Sequence, residues 1–159
     1  MDAKILHELF EYRDGELYWK VDRYRVKSSG KLAGWIENTG YRRVLIDGKK
    51  YQIHRLVYMM HYGFMPKTID HLDGNRLNNK IENLRPATIE ENCRNSIRRT
   101  NNTSGVKGVF WNKQTAQWRA QIRSKGKRVH IGLFDSIKEA ENAIKNARTI
   151  YHGNFANHG

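Results

Sequence analysis

The spacing of apolar positions changes repeatedly along the first ninety residues, and each change marks an element. Ile5, Leu6, Leu9 and Phe10 recur at helical intervals. Asp14-Gly15 then stands between Phe10-Glu11-Tyr12 and Leu17-Tyr18-Trp19, a turn dipeptide flanked by strand formers that predicts a β-hairpin. Gly40 to Ile46, Asp47-Gly48 and Tyr51 to Ile53 repeat the pattern as a second hairpin. His54 to His61 (HRLVYMMH) reads as a short helix ended by Gly63 and Pro66. Thr68 to His71 reads as a strand, Asp73 to Asn83 as an Asn-rich polar loop, and Leu84 to Pro86 as a brief returning strand. Thr88 can cap a following helix, with Glu91 completing a capping box, which places Asn92 one turn in.

Beyond a polar stretch at residues 96–103 the order is simpler. Gly105 to Trp111, Gln117 to Arg123 and Arg128 to Phe134 read as three strands, the last two joined by a tight turn at Ser124 to Lys127. Ser136 caps a helix, with Glu139 three residues on. On that helix Ile137, Ala140, Ile144, Ala147 and Tyr151 form an apolar stripe, with Ala143 and Ile150 beside it. In the middle strand Trp118, Ala120 and Ile122 alternate with Arg119, Gln121 and Arg123. One face of the sheet is therefore apolar and expected on the helix; the other is cationic and rich in hydrogen-bonding groups. The expected fold is α+β: N-terminal hairpins, a strand–loop–strand–helix unit, then a three-stranded antiparallel sheet packed on one helix. There is no internal repeat or extended low-complexity segment.

Charge sharpens this division. The 159 residues carry 29 Lys/Arg against 16 Asp/Glu, a formal charge of +13. Residues 1–95 hold 17 Lys/Arg and 13 Asp/Glu, net +4, whereas residues 96–159 hold 12 and 3, net +9. A balance so basic, interleaved with aromatics and Asn, points to a nucleic-acid partner. Cys93 is the sole cysteine, which excludes an internal disulfide and a Cys-rich zinc site and fits a reducing cytoplasm. The N-terminus is interrupted by charges and lacks an apolar signal core, and no run approaches a membrane span. The expectation is a cytoplasmic protein without a membrane partner.

The stretch from Thr68 to Asn95 sets a carboxylate, an imidazole and two carboxamides at intervals that suit one small metal site. Asp70 and an Asn92 side-chain oxygen are hard donors, suited to Mg²⁺ or Mn²⁺. His71, the neighbour of Asp70 on a strand, points to the other side and can take a proton from water. Asn83, at the end of the loop, is placed to tie loop backbone together and steady His71. Asn75 and Asn79 read as loop formers. His54 reads as helix surface or core support, the latter preferred, with Arg55 as a phosphate contact. His61, His130, His152 and His158 do not join the site by spacing.

The segment from His54 to Asn95, with HRLV, IDHLDGN, NLR and the later Asn92, resembles the HNH nuclease motif of free-standing and intron-encoded phage homing endonucleases. The resemblance implies the ββα-metal fold, with residues 1–95 as the nuclease domain and 51–95 as its core. It implies His71 as general base, Asp70 and Asn92 as ligands to one Mg²⁺ or Mn²⁺ per active site, and Asn83 as the loop-orienting residue. The last motif position is His in many members and Asn here, as in a subgroup. Residues 104–159 resemble a second family, the APETALA-type (ethylene-response-factor-like) DNA-binding domain, with 96–103 as a basic linker. That likeness implies duplex-DNA contacts at Lys107, Trp111, Gln121, Arg123, Arg128 and His130, and the strand alternation adds Arg119 to the same DNA-binding face. Lys107, Val109, Gln121 and His130 depart from frequent family residues, so the base sequence read by plant relatives does not carry over.

The leading expectation is a site-directed DNA endonuclease of the phage homing type, acting in the host bacterial cytoplasm. The alternative is a DNA-binding regulator with a silent nuclease fold. RNA binding is weaker, because the exposed sheet lacks a row of stacking aromatics. Target sequence, nicking against double-strand cleavage, and monomer against homodimer are not determined by the residues.

Overall fold

The computed structural model describes residues 2–23, 25–95 and 102–157. The chain falls into two compact units, Met1–Ala87 and Thr88–Gly159. The architecture is mixed α+β, with several small antiparallel sheets and few helices. Residues 96–101 of the expected linker, and His158, lie outside the described residues.

In the first unit α1 (Ala3–Leu9) is capped by Asp2, whose carboxylate accepts from Lys4 N at 3.1 Å. It leads into β1 (Phe10–Arg13) and β2 (Glu16–Trp19), paired with Phe10 opposite Trp19. These two rings pack 4.4 Å apart between centroids. The turn takes Asp14 and Gly15 at φ 48° and 92°, the two positive values that a tight hairpin with the native strand twist demands. Gly15 has a second constraint: a Cβ there would lie 2.8 Å from Lys80 N and 3.1 Å from the Asn79 carbonyl carbon. The first hairpin thus presses directly on the backbone of the later loop. Lys80 Nζ and Asp14 Oδ1 close the contact at 2.7 Å, and Tyr12 Oη accepts from Ile81 N at 3.1 Å.

A second sheet, ordered β3-β4-β5, consists of Trp35–Ile36, Arg42–Ile46 and Lys49–Gln52. Its β4–β5 turn is the expected Asp47-Gly48, whereas β3 has no two-residue period by which the sequence could reveal it. Ile53, expected to end β5, begins α2 (Ile53–Tyr62) instead. Gly63 closes that helix in the left-handed region at φ 73°. Leu6, Phe10, Leu17, Val44, Ile53, Leu56 and Val57 are buried together, so α2 and both sheets share one core. The final pair is β6 (Ile69–His71) with β7 (Leu84–Pro86), joined by a loop ending in a 3₁₀ turn at Ile81–Asn83.

The second unit begins with α3 (Ile89–Arg94), which carries the expected capping box. Glu91 N donates to Thr88 Oγ1 at 3.2 Å, and Thr88 N donates to Glu91 Oε2 at 2.7 Å. The unit boundary at Ala87/Thr88 groups α3 with the C-terminal residues, whereas the sequence reading runs the nuclease module through residue 95. The sheet follows in order β10-β9-β8: Val109–Asn112 (β8), Gln117–Ser124 (β9) and Lys127–Phe134 (β10). β8 starts four residues later than expected, because Gly105 and Gly108 turn the chain with positive φ. α4 (Ile137–His152) is capped by Ser136 and buries Ala140, Ile144 and Ala147. Its last turns depart from the expected stripe. Arg148 and His152 are buried, while Ile150 and Tyr151 are exposed. Arg148 donates to the Lys107 carbonyl and His152 Nε2 bonds the Arg123 carbonyl at 3.0 Å, so polar anchoring overrides hydrophobic phase there.

Among the described residues no helix is long and apolar enough to cross a membrane.

Candidate active site

β6 brings Asp70 and His71 into the first unit's interior, where both are buried. Period-two alternation sends their side chains to opposite sides. Asp70 pairs in register with Arg85 of β7. Arg85 donates to Asp70 Oδ2 from Nε at 2.9 Å and from Nη2 at 2.7 Å. Two charge-assisted hydrogen bonds to the carboxylate offset part of the cost of burying it.

His71 faces a wall the sequence reading did not assemble. Its ring lies edge-on to buried His54 of α2 at 5.0 Å between centroids, and 6.1 Å from Tyr41. Tyr41 also packs on His54 at 5.2 Å. The Arg76 guanidinium sits 4.9 Å over the Tyr41 ring and donates to Thr39 O at 2.6 Å. His71 Nε2 is 3.2 Å from Asn79 Oδ1, and Asn79 is only 1% exposed.

This setting acts on both imidazoles in the same direction. Burial, then the neighbouring His71 and Arg55, pushes His54 down to about 3, so it is neutral at every physiological pH. Burial also lowers His71, opposed by the Asn79 hydrogen bond and by the nearby Asp73 and Asp70 carboxylates. A neutral imidazole is the form that accepts a proton.

The loop between β6 and β7 is closed by Asn83. Its Nδ2 donates to Asp73 Oδ1 at 3.0 Å and to Asn78 O at 2.8 Å, while its Oδ1 accepts from Asp73 N at 3.1 Å. Asp73 also accepts from Asn75 N and Asn78 Nδ2. Burial opposes ionisation of Asp73, but hydrogen bonds from Asn78, Asn83 and Asn75 hold its carboxyl below the usual range. Asn83 thus grips the loop ends, and its carbonyl accepts from Leu72 N, the neighbour of His71, at 2.9 Å.

Among the described residues no group of three or more His, Cys, Asp or Glu is arranged to hold a metal ion. The chemistry of the available donors nevertheless suits a hard cation. Asp70 is a buried carboxylate, a hard oxygen donor. Asn92, the other expected ligand, is a half-buried residue of α3 in the second unit.

The expected DNA contacts divide by place. Arg55 donates to Lys67 O and Pro66 O and so holds the chain after α2. Lys107 is half-buried, and its Nζ donates to Arg94 O at 3.0 Å and Asn157 O at 3.3 Å; burial brings its pKa to about 8. Trp111 pairs with Trp118, which puts it on the side of the sheet away from Gln121 and Arg123, its ring 5.2 Å from that of Trp118. The remaining five share one face. Gln121 lies opposite His130, Arg123 opposite Arg128, and Arg119 is flanked by Phe110 and Leu133. A bulge at Ile131 keeps that register by turning Ile131 inward to the α4 core.

Tyr41, His54, Asn79 and Arg85 were not assigned to the site from sequence. Register alone would have found Arg85, since a short hairpin with Asp70 on one strand sets its partner on the other. His54 carries a fainter signal, an imidazole among Ile53, Leu56 and Val57. Nothing in the one-dimensional pattern marks Tyr41 or Asn79.

Comparison with known proteins adds an independent line. The family model described as HNH endonuclease matches residues 51–94. Protein 3.8 of Escherichia phage T7 is 38% identical over 105 residues, covering 65% of this chain and 86% of that protein. An uncharacterized HNH endonuclease of Acanthamoeba polyphaga mimivirus is 34% identical over 99 residues, 60% of this chain and 51% of that one. The DNA endonuclease I-HmuI of Bacillus phage SP01 is 37% identical over 83 residues, 48% of this chain and 47% of that one. The chain thus spans about half the length of the latter two. A solved structure described as DNA binding and cleavage by the HNH homing endonuclease I-HmuI aligns over 96% of this chain and 90% of that one, with 24% identity and a TM-score of 0.44.

Proposed function

Because the chain belongs to the HNH endonuclease family, we propose that it is a site-directed DNA endonuclease of the phage homing type, with His71 as the general base. The observation that carries this reading is the buried strand pair at Asp70-His71: a carboxylate clamped by Arg85 beside an imidazole held neutral by its surroundings. His71 takes the proton of the attacking water. The family pattern assigns the oxygen donors for one Mg²⁺ or Mn²⁺ to Asp70 and Asn92. When bound, such a cation stabilises negative charge on the phosphate and on the leaving 3′ oxygen. Arg85 fixes the Asp70 carboxylate, and Asn83 keeps the loop from rearranging around the base. The family pattern gives a 5′ phosphate and a 3′ hydroxyl as products.

The second unit supplies the means of selecting a site. Gln121, Arg123, Arg128 and His130, together with Arg119, present a cationic, hydrogen-bonding face on a three-stranded sheet, which suits the major groove of duplex DNA as in the APETALA-type domain. Lys107 and Arg55 serve structure in this reading, and Trp111 lies off the reading face. Divalent-metal-dependent nicking of supercoiled plasmid tests the proposal. DNA binding without cleavage under Mg²⁺ or Mn²⁺ would favour a regulator with a silent nuclease fold.

A further inference from the structure

Buried Asn79, which the sequence marks only as a loop former, touches the imidazole of His71 and is itself oriented by its neighbourhood. Its Nδ2 donates to Leu77 O at 3.3 Å. A backbone carbonyl only accepts, so the amide nitrogen faces Leu77 and the amide oxygen faces His71. That oxygen, 3.2 Å from Nε2, also only accepts. The proton of the neutral ring therefore belongs on Nε2, and the lone pair on Nδ1. The opposite tautomer would set two lone pairs against each other between two buried side chains.

We infer that Asn79 is a positioning residue that sets the tautomer of His71, leaving Nδ1 as the nitrogen that accepts the proton of water. Its role as a base rests on the nuclease reading above; the tautomer does not. The loop that carries Asn79 is pressed from behind by the Asp14-Gly15 turn and tied by the Lys80–Asp14 pair, so the N-terminal hairpin takes part in holding the ring.

Long-range ¹H–¹⁵N correlation on the metal-free full-length protein at neutral pH reads the tautomer directly, with His71 assigned through His71→Gln. The expected wild-type pattern is a protonated Nε2 and an unprotonated Nδ1. Asn79→Leu removes the acceptor and should give a mixed or reversed pattern, with nicking down roughly ten- to hundredfold. Asn79→Asp retains an acceptor and should restore the Nε2–H pattern. A wild-type ring protonated on Nδ1, or an Asn79→Leu pattern identical to wild type in a folded protein, would overturn the inference while leaving the nuclease reading intact. The expected tautomer in a protein that nicks no DNA with any divalent metal would sink the nuclease reading and keep Asn79 as the residue that orients the ring.

Discussion

Arg85 grips one oxygen of the Asp70 carboxylate with both Nε and Nη2, at 2.9 and 2.7 Å, across the β6–β7 pair. Asp70 is almost fully buried, so this fork is what makes an ionised carboxylate tolerable there. Arg85→Ala should destabilise the protein by about 3–5 kcal/mol, the range for breaking a buried pair. Arg85→Lys should recover only part of that, because one ammonium cannot reproduce a planar fork. Urea unfolding measures both; an Arg85→Ala midpoint equal to wild type would mean the pair contributes nothing.

The depressed pKa of His54 makes stability depend on acid. Between pH 6.5 and about 3 the unfolded chain binds a proton at His54 that the folded chain refuses. The unfolded state binds more protons in that window, so stability falls as pH drops, by about 1.4 kcal/mol per pH unit for one full proton. His71, lowered for the same reason, acts in the same direction. Unfolding free energies measured from pH 7.5 to 4 should show a shallower slope in His54→Gln than in wild type. Equal slopes would show that His54 protonates in the folded protein.

Two hairpin glycines with similar backbone angles offer a matched comparison. Gly15 (φ 92°) would place a Cβ 2.8 Å from Lys80 N, whereas Gly48 (φ 75°) would place one in open space. Gly48→Ala should cost roughly 1–2 kcal/mol, the strain of a left-handed residue. Gly15→Ala should cost more and should also slow nicking, because it displaces the Asn79 backbone. Equal losses of stability in the two variants, with unchanged activity, would contradict the contact.

Arg123 faces the open side of the second unit's sheet opposite Arg128. If it reads a base, Arg123→Ala should weaken binding at the specific site by about 1–3 kcal/mol and relax site choice. Binding measured across a panel of duplexes decides this. A uniform loss on every sequence would make Arg123 a phosphate contact instead.

Elements whose cause is local were legible from sequence. The Asp-Gly turns at 14–15 and 47–48, the capping box of Thr88 with Glu91, and the alternation through Trp118, Ala120 and Ile122 each depend on residues within one element. What was not legible depends on residues brought together in space. Tyr41 and His54 line the His71 ring from a loop and a helix distant in sequence. Asn79 has the same sequence signature as its loop neighbours and differs from them in its contact with His71 Nε2. The end of α4 was misphased because Arg148 and His152 gain buried carbonyl partners that outweigh the exposure of Ile150 and Tyr151. β8 began late because two glycines bend the chain before it.

The central claim is that His71 cuts DNA, and the most direct measurement compares wild type and His71→Ala on supercoiled plasmid in Mg²⁺ or Mn²⁺, with DNA binding followed in parallel. Wild type should relax the plasmid only when a divalent cation is present, while His71→Ala should bind DNA as tightly and leave it uncut. Cleavage by His71→Ala at the wild-type rate would contradict the account.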